Sequence, residues 1–593
     1  MAELHSLQKD LPQKDKVQQL ITQHIDLWTG AVKDKSSAGR GGSSKRELYG
    51  IKKLRELILE LAVRGKLVAQ DPNDEPASVL LERIAAEKAE LVKQGKIKKP
   101  KKLPEISEEE KPFELPEGWE LCRIGELFNS IMSGGTPSKR NNDYWDGDIP
   151  WASVKDLGSS LYLSQTQDHI TELGLENGSK EALKGDLLIC TRMGLGKIAI
   201  VEHRMAFNQD LKAVSLTSFL LPLYFVRFYS TLKIIGTGTT VAGITQEQLL
   251  NYTMALPPKA EQQRIVAKVD ELMALCDLLE QQTESSLDAH QTLVQTLLDT
   301  LLQSADAEEL EQNWQRLSAH FDLLFTTEQS IDQLKQTILQ LAVMGKLVPQ
   351  DPNDEPASEL LKRIAAEKEE LVKQKKIKKQ KPLPPISDDE KPFQLPKGWE
   401  WCRADDICYG ITSGSTPPKT EFSDGEGVPY LKVYNIRNQK IDFEYQPQFV
   451  NESYHMTKLA RSILKPGDVV MNIVGPPLGK IAIIPSTYDE WNCNQAIVFF
   501  RAIDSRLRFY IYQYLVAGLF LNSIELIGTA GQDNISVTKS RSIVIPMPPL
   551  SEQNHIVAKV DQLMALCDQL KAKLADSKTT QLNLTDALVA QAV

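Results

Sequence analysis

Two short loops, GGTPSK at 134–139 and GSTPPK at 414–419, concentrate hydroxyl and cationic side chains beside a proline. Hydroxyl, ammonium and guanidinium groups donate hydrogen bonds to phosphate oxygens and can position a protein on a nucleic-acid backbone. Such residues are equally common in turns that simply face water, so phosphate contact and a structural turn are both open interpretations. The candidate residues are Thr136, Ser138, Lys139, Arg140, Thr416, Lys419 and Thr420.

Paired side-chain amides form a second candidate group. Asn208-Gln209 and Asn494-Gln495 occupy corresponding places in the chain, and an amide can bind the edge of adenine through two hydrogen bonds. The alternative is that these amides satisfy backbone groups inside the fold. Three cations that flank glycine turns complete the DNA-binding candidates: Arg192, Lys197 and Lys480.

Familiar catalytic motifs are missing from the sequence. MGLGKIA and PLGKIA contain Gly-Lys, but Thr191 and Val474 stand where a P-loop needs its first glycine, and isoleucine follows the lysine. The sequence has no HExxH and no CxxC, and no GxGxxG follows a strand to open a helix. We therefore expect a protein without catalytic residues, although an unfamiliar catalytic arrangement remains open.

The seven cysteines lack the spacing of a metal site. Cys122 and Cys402 are repeat equivalents on apolar faces, as are Cys276 and Cys567. Buried, reduced thiols in a cytoplasmic protein are the favoured interpretation, with a metal or disulfide role as the alternative.

Bulk composition indicates a soluble chain of several domains. A length of 593 residues exceeds what one hydrophobic core supports, and 41% hydrophobic with 25% charged residues is ordinary. The sequence predicts neither a membrane span nor a signal peptide. A net charge of −10 argues against nucleic-acid binding over the whole surface but leaves a local binding surface open.

The chain is an internal duplication. The stretch that begins ILELAVRGKLV at Ile58 returns almost unchanged at Ile338, and the octet DPNDEPAS is identical at 71–78 and 351–358. IVAKVDELMALCD at 265–277 returns at 556–568 with a single difference. Similarity is high in these stretches and falls to ordered, scattered matches in the inserts between them.

The two inserts are predicted to share one fold while presenting different surfaces. Turn residues separate strand-like segments, and GDLLICTRMGLGKIAIV and GDVVMNIVGPPLGKIAII are typical of hairpins. The first insert has 12 Lys+Arg against 16 Asp+Glu, and the second has 15 against 15, so charge alone identifies neither as a DNA-binding domain. Two like domains with unlike surfaces suit the recognition of two different targets.

The repeated IVAKVD segment predicts a long helix with a heptad seam. In the first copy this helix extends from about residue 262 to 303. The two copies could pair with each other as an antiparallel coiled coil with pseudo-twofold symmetry, or each could pack on its own neighbouring domain. The seam residues are Ile265, Val269, Leu272, Cys276, Leu279, Ile556, Val560, Leu563, Cys567 and Leu570.

More helix precedes each insert. Gly65 and Gly345 are predicted to end one helix, and a second, charged helix follows at 77–94 and again at 357–374. The lysine runs at 93–102 and 373–381 could contact phosphates or form solvated helix ends.

These boundaries define a fold of the α+β class, with two α/β recognition domains in tandem joined by long helices. The predicted segments are 1–50 (accessory helix, with a flexible stretch at 36–46), 51–112 (helical repeat), 113–256 (first recognition domain), 257–392 (central helical region), 393–547 (second recognition domain) and 548–593 (C-terminal coiled-coil helix).

The order PPxxEQxxIVAKVDxLMALCD after each insert, with LPxGWExCR before it and GxTPxK within it, resembles the specificity subunit of type I DNA restriction–modification systems. The shared stretch ELVKQxKIKK…EKPFxLPxGW is similar to the type IB branch. The resemblance covers nearly the whole chain, and its motifs occur twice in the same order.

The resemblance implies a non-catalytic, sequence-specific DNA-binding subunit. Each insert would read one half of an asymmetric bipartite site in double-stranded DNA. Two modification subunits carrying S-adenosylmethionine would methylate adenine N6, and two restriction subunits would use ATP and Mg to translocate and cleave DNA in the bacterial cytoplasm. The alternative is a non-catalytic tandem adaptor that binds proteins or glycans.

Overall fold

The structure is a computed structural model that describes residues 13–35, 45–158, 160–237, 242–305, 307–423, 425–475, 477–524, 527–529 and 532–593. The chain divides into two compact units, Met1–Ser286 with Ser577–Val593, and Leu287–Asp576. The first twelve residues of the predicted accessory region lie outside the described residues. So does the predicted flexible stretch, except for Lys45 and Arg46, which form a strand instead.

The first unit contains a recognition domain between helical segments. Its helices are α1 (Gln13–Gln23), α2 (Ile25–Gly30), α3 (Tyr49–Val63), α4 (Ala77–Lys93), α5 (Glu172–Gly178), α6 (Pro222–Tyr229), α7 (Gln246–Leu250) and α8 (Lys259–Gln303), which continues into the second unit. Its strands are β1 (Lys33–Lys35), β2 (Lys45–Glu47), β3 (Glu120–Arg123), β4 (Phe128–Ser133), β5 (Trp145–Ala152), β6 (Tyr162–Leu163), β7 (Asp168–Ile170), β8 (Lys180–Ala182), β9 (Leu187–Cys190), β10 (Ile198–Val201), β11 (Met205–Phe207), β12 (Leu211–Leu216) and β13 (Thr253–Leu256).

Two sheets build this recognition domain. One has the order β4-β12-β9-β10-β6 and the other β7-β5-β11-β8, while β3 and β13 form a separate antiparallel pair. The hairpin predicted for GDLLICTRMGLGKIAIV is confirmed as antiparallel β9 and β10. Every residue of these two strands is buried, as the continuous apolar runs LLIC and IAIV require.

The second unit repeats this plan. Its further helices are α9 (Ala307–Ser318), α10 (Phe321–Leu324), α11 (Glu328–Val343), α12 (Ala357–Lys373), α13 (Ala404–Ile407), α14 (Glu452–Thr457), α15 (Arg508–Ala517), α16 (Val537–Ser542) and α17 (Leu550–Ala592). Its strands are β14 (Glu400–Arg403), β15 (Thr412–Ser413), β16 (Phe422–Ser423), β17 (Val428–Leu431), β18 (Ile436–Arg437), β19 (Lys440–Ile441), β20 (Phe449–Val450), β21 (Val469–Asn472), β22 (Ile481–Ile483), β23 (Asn492–Cys493), β24 (Ile497–Phe500), β25 (Ile527–Thr529), β26 (Gln532–Asn534) and β27 (Val544–Met547).

Strand order confirms that the two inserts share a fold. The order β15-β24-β21-β22 in the second domain matches β4-β12-β9-β10 in the first. The parallel pair of β17 with β23 matches the parallel pair of β5 with β11. The α+β class, with two sheet-rich domains and long helices, is therefore confirmed.

As predicted, a glycine ends the helix that precedes the charged helix in each unit. Gly65 and Gly345 have φ angles of +67° and +71°. Past each glycine, the amides of Lys66 and Lys346 donate to the carbonyls of Leu61 and Leu341, both at 2.9 Å. This left-handed ending satisfies carbonyls that the helix terminus would otherwise leave unpaired.

A buried carboxylate joins the two repeated motifs in each unit. Glu261, at the start of α8, accepts hydrogen bonds from Trp119 Nε1 at 2.9 Å and Gln70 Nε2 at 3.1 Å. Burial raises the pKa of this carboxyl. In the second unit Glu552 accepts the same bonds from Trp399 at 2.8 Å and Gln350 at 3.1 Å. The motif GWE therefore fixes where each long helix begins relative to its recognition domain.

The long helices are confirmed, at 45 residues for α8 and 43 for α17. At 1.5 Å per residue, α8 is about 68 Å long. Ile265, Val269, Leu272 and Cys276 are all buried in the first unit. In the second unit, Ile556 and Val560 are buried in a cluster with recognition-domain aromatics such as Tyr510. For this part of the seam, packing on the neighbouring domain is therefore what the structure shows.

Further along α17, the seam meets the other long helix. Leu563, Cys567 and Leu570 belong to a cluster that also contains Val294 and Leu298 of α8 and residues of α11. From α11 to the lysine that follows it, contacts with α8 advance in the same direction, from Gln333–Gln295 to Lys346–Leu302. Contacts with α17 run the opposite way, from Asp332–Lys571 to Lys335–Asp568. The second half of α8 and the first half of α17 thus run antiparallel within this unit. A coiled coil along their full lengths stays a prediction.

Candidate nucleic-acid interface

The GxTPxK loop of the first recognition domain is held against the end of β11. The Gly135 amide donates to the Phe207 carbonyl at 2.9 Å, and Trp151 Nε1 donates to the Gly135 carbonyl at 3.1 Å. Gly134 lies against the carbonyls of Phe207 and Asn208, where a Cβ would collide. The glycine is required because the backbone approaches so closely.

The corresponding loop of the second domain makes the same contacts with different side chains. The Ser415 amide donates to the Cys493 carbonyl at 3.2 Å, and the Tyr430 hydroxyl donates to the Ser415 carbonyl at 2.8 Å. Gly414 again leaves no room for a Cβ. Tyr430 replaces Trp151, yet the hydrogen bond to the loop is kept. In both loops, the half that contains glycine is therefore a structural turn, one of the two interpretations that the sequence left open.

One polar contact ties the threonine of each loop to the candidate amide. The Thr136 hydroxyl donates to Gln209 Oε1 at 2.5 Å, and the Thr416 hydroxyl donates in the same way to Gln495 Oε1. All four side chains are exposed. Because the amide oxygen accepts from threonine, the Nε2 group is oriented as a donor toward the surface. We call these two pairs the Thr–Gln contacts.

The remaining loop residues are exposed cations and hydroxyls. Ser138, Lys139 and Arg140 are exposed after the first Thr–Gln contact, and Lys419 with Thr420 is exposed after the second. Exposed cations can contact DNA phosphates, and a surface amide can contact a base edge beside them. A role in DNA binding stays a prediction for these residues.

The structure separates Asn208 from Gln209. Asn208 is buried, and its Oδ1 accepts from the Asp210 amide at 3.1 Å. Asn208 therefore satisfies a backbone group inside the fold, which is the alternative that the sequence left open. Its equivalent, Asn494, is half-buried, and its Oδ1 has no hydrogen-bond partner among the described residues. The glutamines are thus better placed than the asparagines to meet a base.

Arg192 pairs with the residue that follows Gln209, whereas the two lysine candidates make other contacts. The exposed guanidinium of Arg192 is 3.7 Å from the carboxylate of Asp210, next in sequence to Gln209. Lys197 Nζ instead donates to the Val154 carbonyl at 3.0 Å. The Lys480 amide donates to Asn472 Oδ1 at 2.6 Å, which fixes its glycine turn. No hydrogen bond among the described residues links Lys197 or Lys480 to a Thr–Gln contact.

Other residues near these loops gave no signal in the sequence. Arg461 Nη2 donates to Ser415 Oγ at 3.0 Å, which brings an exposed cation onto the second loop. Lys212 donates to Ser133 Oγ, and burial lowers the pKa of this lysine. Met193 is 70% exposed at φ +60°, an unfavourable backbone conformation for a non-glycine residue. Only the fold brings Arg461 to Ser415, since 46 residues separate them in the chain.

The cysteines do not form a site. All seven are free and buried, and burial raises the pKa of thiols such as Cys122 and Cys402. Among the described residues, no group of three or more His, Cys, Asp or Glu side chains could hold a metal ion. Likewise, none of the helices in the described part of the chain is long and apolar enough to cross a membrane.

These features define a tandem protein, with one loop architecture built twice under unlike surface side chains. The sequence matches the Type I restriction modification DNA specificity domain twice, at residues 116–289 and 396–577. The chain therefore belongs to the type I restriction–modification DNA specificity family and carries two tandem recognition domains.

Two relatives from Escherichia coli match over nearly the full length. The chain is 44% identical to the type I restriction enzyme EcoAI specificity subunit, over 97% of this chain and 100% of that protein. It is 44% identical to the EcoEI specificity subunit, over 96% of this chain and 99% of that one. The alternative of a protein- or glycan-binding adaptor finds no support in these relationships.

Solved structures give more distant matches. A chain from a study of complex assembly and conformational transition of the type I R-M system is 19% identical, with a TM-score of 0.45, over 81% of this chain and 99% of that one. The HsdS subunit from Thermoanaerobacter tengcongensis is 19% identical, with a TM-score of 0.38, over 82% of this chain and 98% of that one.

Proposed function

We propose that this chain is the non-catalytic specificity subunit of a type I restriction–modification complex, and that each recognition domain reads one half of an asymmetric, split DNA site. The observation that carries the proposal is the pair of Thr–Gln contacts. Both domains hold the same threonine and glutamine with the same backbone contacts, while the exposed residues around them differ. A common scaffold with different surfaces is what two different half-sites require.

In each domain, we assign base recognition to the glutamine and backbone contact to the cations. Gln209 and Gln495 offer an Nε2 donor at the surface because their oxygens accept from Thr136 and Thr416. A well-placed side-chain contact to a base is worth about 1–3 kcal/mol of discrimination. The exposed cations after each loop would supply affinity that depends on salt but not on sequence.

Partner subunits would perform the chemistry. On this proposal, two modification subunits that bind S-adenosylmethionine methylate adenine N6 within the site. Two restriction subunits that use ATP and Mg translocate and cleave unmodified DNA. The relationship to complete EcoAI and EcoEI specificity subunits supports this assignment. Such a complex would act on DNA in the bacterial cytoplasm.

The experiment that tests the proposal replaces residues 393–547 with the second recognition domain of a relative. The variant and the wild type are each produced with the cognate modification subunit, and N6-methyladenine is mapped across the host genome by long-read sequencing. We expect the wild type to methylate one split motif, and the variant to change one half of it alone. A motif that changes in both halves, or DNA methylation without any sequence motif, would contradict the proposal.

A second experiment tests whether the helices set the distance between half-sites. Four added residues form about one helical turn, or about 6 Å. Inserted between residues 300 and 330, they should change the length of the non-specific spacer and leave both half-site sequences unchanged. A change in half-site sequence would show that the helices do not act as a spacer.

A further inference from the structure

Each unit contains a groove between its charged helix and the extended segment that follows. In the first unit, α4 and residues 99–106 enclose a cavity of about 930 Å³ that is open to solvent along its length. In the second unit, α12 and residues 378–382 enclose about 840 Å³. We call these the first and second grooves. Neither groove contains a residue of the recognition loops, although both include lysines of the runs at 93–102 and 373–381.

The floor of both grooves is apolar. In the first groove, Leu81, Ile84, Val92 and Leu121 contribute side chains, together with Leu103 from the extended segment. Leu361, Val372 and Trp401 line the second groove, along with the stems of its lysines. A long, apolar trough of this size fits the apolar face of a peptide or helix.

Lysines surround both floors. Four lysines and two carboxylates line the first groove, and six lysines and four carboxylates line the second. Both grooves are therefore locally positive on a chain whose net charge is −10. Lys88 Nζ donates to the Gly125 carbonyl at 3.2 Å, and Lys368 pairs with Asp405 at 3.4 Å, so these two lysines bind their own unit. Lys99, Lys101, Lys379 and Lys381 are exposed.

The two grooves are nearly the same although the recognition domains beside them are not. Leu81, Ile84, Val92, Lys99 and Lys101 have identical equivalents 280 residues later in the sequence. The changes among lining residues include Ala89 to Glu369, Pro100 to Gln380, Lys102 to Pro382, Leu121 to Trp401 and Gly125 to Asp405. Recognition of two different half-sites does not require two equal grooves. Binding of two copies of one partner does.

We propose that each groove receives an acidic segment with apolar anchors from the modification subunit, so that one chain binds two identical modification subunits through equivalent sites. The inference rests on the proposed function and names where that partner binds. Acidic side chains would meet the exposed lysines, and apolar side chains would lie on the floor. DNA fits less well, because a phosphate backbone gains nothing from an apolar floor of this depth.

The test uses the full-length chain with one groove altered. In the first groove, the double variant Lys99→Glu with Lys101→Glu reverses two exposed charges, and Ala85→Trp independently fills the groove at an exposed helix position. Lys379→Glu with Lys381→Glu alters the second groove in the same way. The matched control is Lys96→Glu with Lys98→Glu, which makes the same charge change at exposed lysines that do not line the first groove.

Native mass spectrometry and sedimentation with the purified cognate modification subunit give the stoichiometry. We expect two modification subunits on the wild type and the control, one on either single-groove variant at matched concentrations, and none when both grooves are altered. The affinity of the altered site should fall at least tenfold. The Ala85→Trp variant should behave like the charge reversal without changing the charge.

Two bound modification subunits of unchanged affinity on the groove variants would overturn the inference and leave the proposed function intact. Unchanged assembly with a tenfold loss of DNA affinity would also overturn it, and would assign the grooves to phosphate contact. If the wild-type chain itself bound no modification subunit, both this inference and the proposed function would fail.

Discussion

Arg123 and Arg403 make the same hydrogen bonds in the two halves of the molecule, whereas the loops that begin a few residues later keep their backbone and Thr–Gln contacts but differ in the exposed side chains around them. Each guanidinium is buried and binds Glu110 or Glu390 with two nitrogens. Each also donates to three carbonyls, which for Arg123 are those of Pro104, Glu105 and Asn251. Five donors in a fixed plane leave little freedom for substitution.

The difference between these regions teaches which parts of the duplication are free to change. A buried guanidinium with all its donors used cannot be replaced without leaving several carbonyls unpaired. Trp151 and Tyr430 each donate a hydrogen bond to the corresponding backbone carbonyl of their loops, so either ring serves. The cations beyond the loops, such as Lys139, Arg140 and Lys419, are exposed. Constraint thus falls from the buried helical repeat to the recognition surface.

The largest effect is expected where that constraint is strongest. Arg123→Met and Arg403→Met should each destabilise the local unit by about 3 kcal/mol, because three carbonyls lose their donor in the fold. Hydrogen exchange of the β3 or β14 amides measures this, since the loss should remain within the altered unit. Arg437→Met, at an exposed arginine, is the control. Equal loosening of both units by a single variant would contradict the independence of the two sites.

Substitutions on the recognition surface should change the DNA sequence specificity and not the stability of the protein. Gln209→Ala should relax sequence preference in one half-site by about 2 kcal/mol, roughly 30-fold, and Gln495→Ala should do so in the other. Binding to a panel of DNA duplexes with single base changes measures the loss. Asn208→Ala serves as a contrast, because its buried oxygen binds the Asp210 amide and its loss should cost stability. A Gln209 variant that weakens binding equally to all sequences would exclude base recognition by this residue.

Much of this comparison could be predicted from the sequence, because its signals are local and repeated. The 4-3-4-3 spacing of apolar residues indicated the long helices, Gly65 and Gly345 marked helix ends, and glycine turns marked the hairpins. The Thr–Gln contacts could not be predicted, since 73 residues separate Thr136 from Gln209 and 79 separate Thr416 from Gln495. Only strand pairing brings them together. For the same reason, the sequence could not distinguish Asn208, which the fold buries, from Gln209, which is exposed.

One repeat was missed because few of its residues are identical. His24 precedes α2 with φ −117° and ψ 25°, and His320 precedes α10 with φ −120° and ψ 20°. Each histidine begins a short HxDL segment, with Asp26 and Leu27 in one and Asp322 and Leu323 in the other. The N-terminal helices predicted as an accessory thus resemble the segment between α8 and α11, where a longer helix, a histidine and a short helix also follow one another. Matching backbone geometry reveals a relationship that three matching letters do not establish.

Acid should weaken the arginine contacts of both halves over the same pH range. The paired arginine lowers the pKa of Glu110 and of Glu390 from 4.5 to about 2. A carboxylate with a depressed folded-state pKa stabilises the fold above its unfolded pKa, and this stabilisation is lost as pH falls from about 4.5 to about 2. Hydrogen exchange of residues 104–110 and 384–390 should therefore rise across this range. In Glu110→Gln and Glu390→Gln variants the rise should disappear from the altered segment alone, and its persistence would assign it to other groups.

The smallest effect concerns one lysine that follows the glycine in each repeat. Lys66 Nζ donates to the Val593 main-chain oxygen at 2.7 Å in the first unit. Lys346 Nζ donates to the carbonyls of Leu302 and Ser304 at 2.8 and 2.9 Å in the second. Each lysine thus binds carbonyls at the C-terminal end of a long helix, where a cation is favourable by about 0.3–1 kcal/mol.

Lys66→Met should therefore loosen the last turn of α17, and Lys346→Met the last turn of α8, each by less than about 1 kcal/mol. Amide exchange at 588–593 and at 298–304 measures the two ends separately. Lys52→Met, which removes an exposed lysine from α3, should change neither. The two effects need not be equal, because Lys66 Nζ donates to the Val593 main-chain oxygen, whereas Lys346 Nζ donates to two carbonyls. An equal, large loss of amide protection at both ends would mean that each lysine stabilises more than the last turn of a helix.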